Sequence, residues 1–470
     1  MARSCALCLP MVLEADELPS CRSMAHHRPL LLRSTTVALV LFAAMLTTVG
    51  ASRTGRAQST TLRPLVDAAE VLLGAAVDVD ALDDNAYRAL LVDHVNLVST
   101  KGDLSMAVVQ PEQGVFDFSR AEAIVDFAVE NDMVARGHEL IGSAVPGWVS
   151  VGTWTAESLG QVLRDQVTAV VEHFRERNPG VIVQWDVVGD AFLPDGAPRP
   201  TIWQQVIGDD YFRIAFEAAS EADPDAVLFY DDFYDDVAVT QDAVASGVPI
   251  VPGANAERTT CDAVPKCIGV SDRIAALVAG GVPIDGVGFQ SHLFSPDPAD
   301  FNQFTAWVGE LGLRWAVTEF DVPLPVTEIS NPDTLAFQAQ VYADALAACV
   351  DAAGCDTFVT WGISDRFSPI PAETGGAFDG ALWFDVNDQP KPAFDAMAQV
   401  LTQRAPAASA PSTDPVGVLA PDSTAAPAVD TTDDADSSPF VAVLVGLVAL
   451  GVIAAAITVA RRRRSSPTQR

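Results

Sequence analysis

The sequence is short of positive charge. Its 470 residues include 28 Lys and Arg against 62 Asp and Glu, which gives a formal net charge of −34. Such an acidic surface repels nucleic acid and other polyanions over much of its area. The chain also lacks a glycine pattern of the dinucleotide- or phosphate-binding kind after any predicted strand. We therefore expect a neutral or cationic partner, with no nucleic acid and no nucleotide cofactor.

Cysteine is scarce too, with seven in the chain. Four of them form two close pairs, Cys261 with Cys267 and Cys349 with Cys355. Outside the cell, each pair can form a disulfide across a small loop. Metal binding is the weaker alternative, because no histidine cluster accompanies these cysteines.

The N-terminal end of the chain is predicted to be a targeting segment. Residues 1–57 are interpreted as a signal-peptide region, in which basic residues precede an apolar run at 37–46 and small residues follow at 49–51. Met24 is an alternative start, because residues 1–23 carry acids and three cysteines that an ordinary signal peptide lacks. The protein is therefore expected to be exported.

The C-terminal end predicts a membrane anchor. Residues 439–460 are uncharged and, at about 1.5 Å of helix rise per residue, long enough to cross a hydrocarbon core of about 30 Å. Arginines open the tail at 461–470 and predict that this tail is cytoplasmic. Residues 405–438, rich in Ala, Pro, Ser, Thr and Asp, are predicted to be a disordered stalk. We expect a globular unit at 58–404 outside the cell, anchored in the plasma membrane by the C-terminal helix.

Between these ends, after an amphipathic segment at 65–73, apolar strand-like runs alternate with segments of helical periodicity. The predicted strands are 94–98, 133–138, 181–188, 226–230, 285–292, 315–322 and 357–362, and the predicted helices are 121–129, 159–177, 211–222, 271–279, 301–311, 334–352 and 393–402. This alternation favours a parallel sheet with helical crossovers. About eight units of this kind over roughly 340 residues favour an α/β fold of the closed (β/α)₈ barrel type over an open sheet.

Polar side chains stand at the ends of several predicted strands, and in a barrel such positions converge on one mouth. They are Asp190, Gln290, His292, Glu319, Trp361 and Asp365. Two carboxylates with a tryptophan and a histidine, facing a neutral substrate, suggest glycoside hydrolysis. The acids Asp231, Asp232, Asp235 and Asp236 are interpreted as a solvated loop and not as a calcium site, because calcium-loop spacing is absent.

A series of motifs in order supports a family resemblance. They are P-E-Q-G-V-F-D-F (111–118), R-G-H (136–138), P-G-W-V (146–149), W-D-V-V (185–188), G-F-Q-S-H-L (288–293), V-T-E-F-D-V (317–322), W-G-I-S-D (361–365), L-W-F-D (382–385) and P-K-P-A-F (390–394). With them the chain resembles glycoside hydrolase family 10, the endo-β-1,4-xylanase family, over nearly all of residues 65–402. The resemblance implies a (β/α)₈ barrel, retention of anomeric configuration, a neutral β-glycan such as xylan as substrate, and no metal or other cofactor. It also implies a disulfide between Cys349 and Cys355.

The resemblance assigns roles to individual residues. It implies that Glu319 is the nucleophile, that His292 orients it, and that Trp361 and Gln290 contact the sugar. At the acid/base position the family has W-D-V-V-N-E and this chain has W-D-V-V-G-D. Asp190 therefore stands where a glutamate is expected, and Gly189 where an asparagine contacts the sugar 2-hydroxyl. His138 is interpreted as a packed core histidine.

Further departures concern the part of the site that grips the sugar. The family motif E-N-E-M-K-W is replaced by K-G-D-L-S-M (101–106), which removes an asparagine and a lysine, and R-G-H-T-L-V-W-H-S-Q is replaced by R-G-H-E-L-I-G-S-A (136–144), which removes a second histidine. A tryptophan expected after S-D is also replaced, by Ser368 and Pro369. The sequence predicts a retaining glycosidase for a xylan-like β-1,4-glycan, slow or of shifted specificity. The alternative is a catalytically inactive glycan-binding protein of the cell surface on the same barrel.

Overall fold

The computed structural model describes residues 61–232, 260–292 and 301–404, with the side chains of 301–303 left out. Within these ranges, eight parallel strands form a closed barrel in which each strand pairs with the next along the chain and the last pairs with the first. The fold predicted from the alternation of strands and helices is confirmed. The predicted signal region, stalk and membrane anchor lie outside the described ranges and stay predictions; within those ranges no helix is both long and apolar enough to cross a bilayer.

Each barrel strand is followed by one main helix. The strands are β1 (Leu72–Ala76), β2 (Leu97–Ser99), β3 (Val134–Gly137), β4 (Ile182–Gly189), β5 (Val227–Asp232), β6 (Gly286–Phe289), β7 (Arg314–Phe320) and β8 (Cys355–Thr360). An N-terminal helix, α1 (Arg63–Ala68), precedes them, and the crossover helices are α2 (Asn85–His94), α3 (Ser119–Glu130), α4 (Ala156–Arg177), α5 (Asp210–Ala222), α6 (Pro265–Ala279), α7 (Phe301–Glu310), α8 (Pro332–Asp351) and α9 (Pro392–Arg404). A two-stranded antiparallel pair, Leu324–Pro325 with Phe378–Asp379, lies outside the barrel.

Strand β1 was missed by the sequence analysis, which treated 65–73 as one amphipathic segment. The structure ends α1 at Ala68 and begins the strand at Leu72. Its sequence, L-L-G-A-A, contains small residues of low strand propensity, so the sequence pattern does not predict a strand here. The small residues are needed for packing, because a Cβ on Gly74 would lie 2.5 Å from Cδ2 of Leu97 on β2.

The crossover helices begin where the sequence provides caps. The side chain of Asp84 accepts hydrogen bonds from the first backbone amides of α2, and Thr155 and Ser158 form a reciprocal capping box at the start of α4. The predicted strand at 94–98 is shorter in the structure, because His94 completes α2 and its buried Nδ1 accepts a hydrogen bond from the amide of Leu62.

Both predicted disulfides are present, joining Cys261 with Cys267 beside α6 and Cys349 with Cys355 between α8 and β8. In each disulfide the two cysteines are separated by 6 positions in sequence. The second bond fixes the entry into β8, the strand that closes the barrel against β1.

The barrel interior contains a buried polar layer below the mouth, the carboxyl-terminal end of the strands. Arg136 on β3 is fully buried and makes a bidentate ion pair with Asp186 on β4, with a 2.8 Å bond from Nε to Oδ2. Its remaining nitrogen donates to Gln184, whose amide in turn donates to Oγ1 of Thr357 on β8 at 2.7 Å. Buried polar groups of this kind are stable only when every donor and acceptor is matched, so the layer holds the strands in a fixed relation beneath the site.

Candidate active site

Strained backbone marks the ends of three strands at the mouth. Lys101 after β2, Asp190 after β4 and Ser291 after β6 have φ values of 48°, 51° and 59°. Left-handed backbone is unfavourable for these residue types and tends to be retained where it aims a functional side chain. Two of these positions, Asp190 and Ser291, coincide with strand ends for which the sequence predicts site residues, whereas the end of β2 is a further one.

The nucleophile candidate Glu319 lies near the end of β7 with 4% of its surface exposed. Its Oε2 is 2.8 Å from Nε2 of His292, and Nδ1 of the same ring is 3.1 Å from Oδ2 of Asp321. Ionised carboxylates only accept hydrogen bonds, so this arrangement favours an imidazolium whose two ring nitrogens both donate. Burial opposes this charge, but Asp321 and Glu319 outweigh it and hold the pKa of His292 well above its usual value.

The second oxygen of Glu319, Oε1, is buried and makes no hydrogen bond within the described ranges. Nε2 of His138 lies 3.5 Å from it. Burial raises the pKa of Glu319, yet the positive charges of His138 and His292 overcome this effect and leave that pKa below its ordinary value. Glu319 is therefore an ionised carboxylate with one oxygen held and the other available.

His138 belongs to the site and not only to the core. Its Nδ1 bonds Asp186 at 3.1 Å, as expected of a satisfied core histidine, but its Nε2 faces Glu319 and 12% of its side chain is exposed. Burial lowers the pKa of His138, but the negative charges of Glu319 and Asp186 raise it by more, so this pKa lies well above its usual value. The interpretation of His138 as a packing residue was incomplete.

Trp361 forms an aromatic wall beside these groups. Its ring centroid is 5.4 Å from that of His138 and 5.7 Å from that of His292, both at interplanar angles of 80°. Nζ of Lys101 lies 5.3 Å from the Trp361 ring centroid and 2.8 Å from Oδ2 of Asp78. The motif comparison predicts the loss of a lysine from the segment at 101–106, whereas in the structure Lys101, at another position of that segment, reaches the Trp361 ring.

The acid/base candidate Asp190 is connected through Gln290 to β7, the strand that carries Glu319. The side-chain amide of Gln290 donates to Oδ1 of Asp190 at 3.1 Å, and its backbone carbonyl accepts from the amide of Glu319 at 3.1 Å. Nε of Arg199 donates to the backbone carbonyl of Asp190 at 2.7 Å and fixes its left-handed turn. The structure thus brings Asp190, Gln290, His292, Glu319 and Trp361 together at one mouth.

Gly189 lies beside a carboxyl that the sequence analysis missed. A Cβ built on Gly189 would lie 1.8 Å from Oε2 of Glu139, and one on Gly142 would lie 1.7 Å from Oε1 of the same residue. Burial and the negative charges of Asp190 and Glu319 outweigh the attraction of His138 and raise the pKa of Glu139 to about 8. The signal was present in the sequence, where R-G-H-E replaces R-G-H-T, but only the structure shows that the carboxyl reaches Gly189.

Two acids interpreted as a solvated loop are buried at the end of β5. Asp231 and Asp232 are both fully buried. Oγ1 of Thr318 donates to Asp231 at 2.7 Å, and Nζ of Lys266 lies 2.6 Å from Asp232. The solvated-loop interpretation is wrong for these two residues, because β5 extends through them into the barrel; Asp235 and Asp236 lie outside the described ranges.

One group of three residues within the described ranges could hold a metal ion. His138, Asp186 and Asp231 offer ligand atoms that all lie within 4.8 Å of one another. However, the guanidinium of Arg136 already bonds both oxygens of Asp186. The donor set therefore suits a resident cation poorly, since the positive charge that a metal would supply is already present.

Comparisons with known proteins agree with this architecture. A model described as Glycosyl hydrolase family 10 matches residues 61–251 and 255–400. Endo-1,4-beta-xylanase B of Thermotoga neapolitana is 30% identical over 368 residues, covering 77% of this chain and 97% of that protein. Endo-1,4-beta-xylanase C of Phanerodontia chrysosporium is 30% identical over 337 residues, covering 70% and 76%.

Solved structures give the same result. Native xylanase 10B from Thermotoga maritima matches with a TM-score of 0.64 at 30% identity, covering 73% of this chain and 99% of that one. Xylanase 10B from Thermotoga petrophila RKU-1, solved in complex with xylobiose, matches with a TM-score of 0.64 at 29% identity, covering 75% and 100%. With the family model matched over most of its length, the chain belongs to glycosyl hydrolase family 10 and is a glycosidase.

Proposed function

We propose that the protein is a retaining glycosidase that cleaves a β-1,4-linked, xylan-like polysaccharide, with Glu319 as nucleophile and Asp190 as acid/base. The observation that carries the proposal is the state of Glu319, an ionised carboxylate whose Oε2 is held by His292 and whose Oε1 makes no hydrogen bond in the described ranges. The relatives named endo-1,4-beta-xylanases support the substrate class, as does the relative solved with xylobiose.

In the first step, Oε1 of Glu319 attacks the anomeric carbon while the glycosidic carbon–oxygen bond breaks. The electron pair of that bond moves to the leaving oxygen, which takes the proton of Asp190. A covalent glycosyl ester on Glu319 results. His292 stays bonded to Oε2 throughout, which keeps the attacking oxygen aimed at the sugar.

In the second step, Asp190, now a carboxylate, removes a proton from water as the water oxygen attacks the anomeric carbon. The ester bond breaks and its electron pair returns to Glu319. Two displacements at the same carbon leave its configuration unchanged. Trp361 supplies the apolar face against which the reacting sugar packs, and Gln290 holds the Asp190 carboxyl in position.

A neutral polysaccharide suits the surroundings of this site. The formal net charge of −34 disfavours polyanionic glycans, whereas a xylan backbone carries no charge to be repelled. We further propose that the barrel acts outside the cell, tethered by the predicted C-terminal helix at 439–460. Detection of the barrel on intact cells, and its release by protease cleavage in the predicted stalk at 405–438, would test this placement.

The test of the activity is hydrolysis of xylans and aryl β-glycosides by the purified full chain beside an E319A variant. We expect the wild type to release reducing sugar and the initial product to keep the β configuration, as read by NMR of the fresh hemiacetal. Equal rates for wild type and E319A on every substrate would contradict the proposal, and an α product would contradict the retaining mechanism.

The alternative function is non-catalytic glycan binding, and the shortened acid favours it. One methylene fewer at position 190 retracts the carboxyl by about 1.5 Å, and a misplacement near 1 Å can cost about a hundredfold in rate. Calorimetric titration with xylo-oligosaccharides distinguishes the two functions. Heat of binding without turnover of any substrate supports the glycan-binding function. The absence of both heat and turnover contradicts the binding function and the glycosidase function alike.

A further inference from the structure

Three positions that meet at one side of the mouth differ together from the family pattern. Where the family motifs quoted above have Thr, Trp and Asn, this chain has Glu139, Gly142 and Gly189. The glycines are in different segments, one beyond β3 and one at the end of β4, yet both face the same carboxyl. The longer side chain at 139 therefore fills the space that two shorter residues leave.

The distances are close enough to make this a replacement of one side chain by another. Oε2 of Glu139 lies 1.8 Å from the position of a Cβ at 189, and a carboxamide of asparagine begins about 1.5 Å beyond its Cβ. Glu139 and an asparagine at 189 thus cannot occupy their places at the same time. The carboxyl lies where the head of the asparagine would lie.

The charges around Glu139 determine its protonation. The charged groups around it are His138 on its own segment, Asp186 on β4, Asp190 just after β4, and Glu319 on β7. Burial and the carboxylates outweigh the histidine and hold its pKa at about 8, so the carboxyl is neutral at pH 7. A neutral carboxyl offers one O–H donor and one carbonyl acceptor, which is the pattern that a carboxamide offers. Its two oxygens are directed at the two glycines, Oε1 toward Gly142 and Oε2 toward Gly189.

We propose that Glu139 is a substrate-binding residue of this site. Its carboxyl contacts the 2-hydroxyl of the reacting sugar, in place of an asparagine at 189. The proposal rests on the glycosidase function proposed above and adds a residue to it. Since the neutral form is the one that donates and accepts, activity depends on a proton that is present below a pH of about 8 and lost above it.

The decisive variant is E139Q, because glutamine has the shape of a neutral carboxyl and keeps one donor and one acceptor but cannot transfer a proton. We expect E139Q to keep kcat/KM on xylo-oligosaccharides within about fivefold of the wild type and to lose the decline in rate near pH 8. E139A should lose about ten- to a hundredfold, the cost of a hydrogen bond that strengthens in the transition state. E176Q, on the exposed face of α4, serves as the matched control and should match the wild type.

A second pair of variants tests the shared space directly. E139T should be impaired as E139A is, and G189N alone should be impaired because its Cβ would meet Oε2 of Glu139. The double variant E139T/G189N restores the family residues at two of the three positions, so we expect it to recover at least tenfold over either single variant. If the two substitutions change the activity independently, so that the double variant is no better than the two single losses combined, the proposal is wrong.

Each negative result contradicts a different part of the proposal. If the wild type turns over substrate but E139A equals it, the proposal is wrong and the glycosidase function stands. If E139Q is as impaired as E139A, the proton of Glu139 is transferred and the proposed binding role is wrong. If no substrate is turned over, xylotriose titration decides: a dissociation constant at least tenfold weaker for E139A than for the wild type supports the role of Glu139, and equal or absent binding overturns it.

Discussion

On one side of the mouth, at the ends of β6 and β7, His292 joins Glu319 to Asp321 in a chain of hydrogen bonds with complementary charges. On the opposite side, at the ends of β3 and β4, Glu139 fills the space beside Gly189, and Asp190 reaches the mouth with a shorter side chain than the family carries. We name the first the nucleophile side and the second the acid/base side, after the roles proposed for Glu319 and Asp190. On the nucleophile side Glu319 is supported by charged neighbours, so a change of any member leaves an unpaired charge. The acid/base side depends on shape and hydrogen bonds, which can be exchanged among neighbouring positions.

The largest expected effect is on the nucleophile side. E319A removes the oxygen that we propose attacks the sugar, and we expect turnover of every substrate to fall by about 10⁴-fold or more. Added azide should restore part of the rate with activated aryl glycosides, because it fills the space of the lost carboxyl and attacks in a single displacement. The product would then be the α-glycosyl azide, identified by NMR. A β-glycosyl azide would show that Glu319 is not the nucleophile.

The next effect separates the two sides by the chemistry of the leaving group. In D190A the leaving oxygen receives no proton, so we expect cleavage of xylan to fall by about 10²- to 10⁴-fold. Cleavage of a dinitrophenyl glycoside should fall far less, since that group leaves without protonation. Comparable losses on both substrates would mean that Asp190 does not act as the acid, and an E139A variant with the leaving-group dependence expected of D190A would move the acid role to Glu139.

The sequence anticipated the nucleophile side much better than the acid/base side, for a physical reason. Glu319, His292 and Asp321 come from two short motifs, and the strand ends that carry them are adjacent in the barrel, so their meeting follows from the strand order. The proximity of Glu139 to Gly189 depends on side-chain reach across two strands, which no local pattern encodes. Taken by itself, Gly189 predicts only the loss of an asparagine from the site.

The same distinction explains the errors in the fold. The barrel was predictable because apolar runs alternate at regular intervals, but β1 was missed because packing against Leu97 requires small residues there. Asp231 and Asp232 belong to an acidic cluster without calcium-loop spacing, a pattern that predicts a solvated loop. Their burial is possible because Thr318 and Lys266, both distant in sequence, provide partners.

A smaller effect, a gain of function, tests whether the acid/base side can be returned to the family pattern. The triple variant E139T/G189N/D190E restores the reach of the acid and the asparagine, and we expect xylan cleavage to rise by about ten- to a hundredfold over the wild type. The control is G189N/D190E, in which Glu139 still fills the space of the new side chain. This double variant should not exceed the wild type. Equal gains in both would show that Glu139 moves aside without cost.

The smallest expected effect concerns Gln290, which serves both sides of the mouth through different atoms. Its side chain bonds Asp190, whereas its backbone carbonyl bonds the amide of Glu319 and remains in any substitution. Q290A should therefore affect only the acid/base side, with a loss of about three- to tenfold on xylan and a smaller loss on a dinitrophenyl glycoside. A loss of equal size on both substrates would mean that the substitution also displaces Glu319, and that the two sides are coupled through this strand.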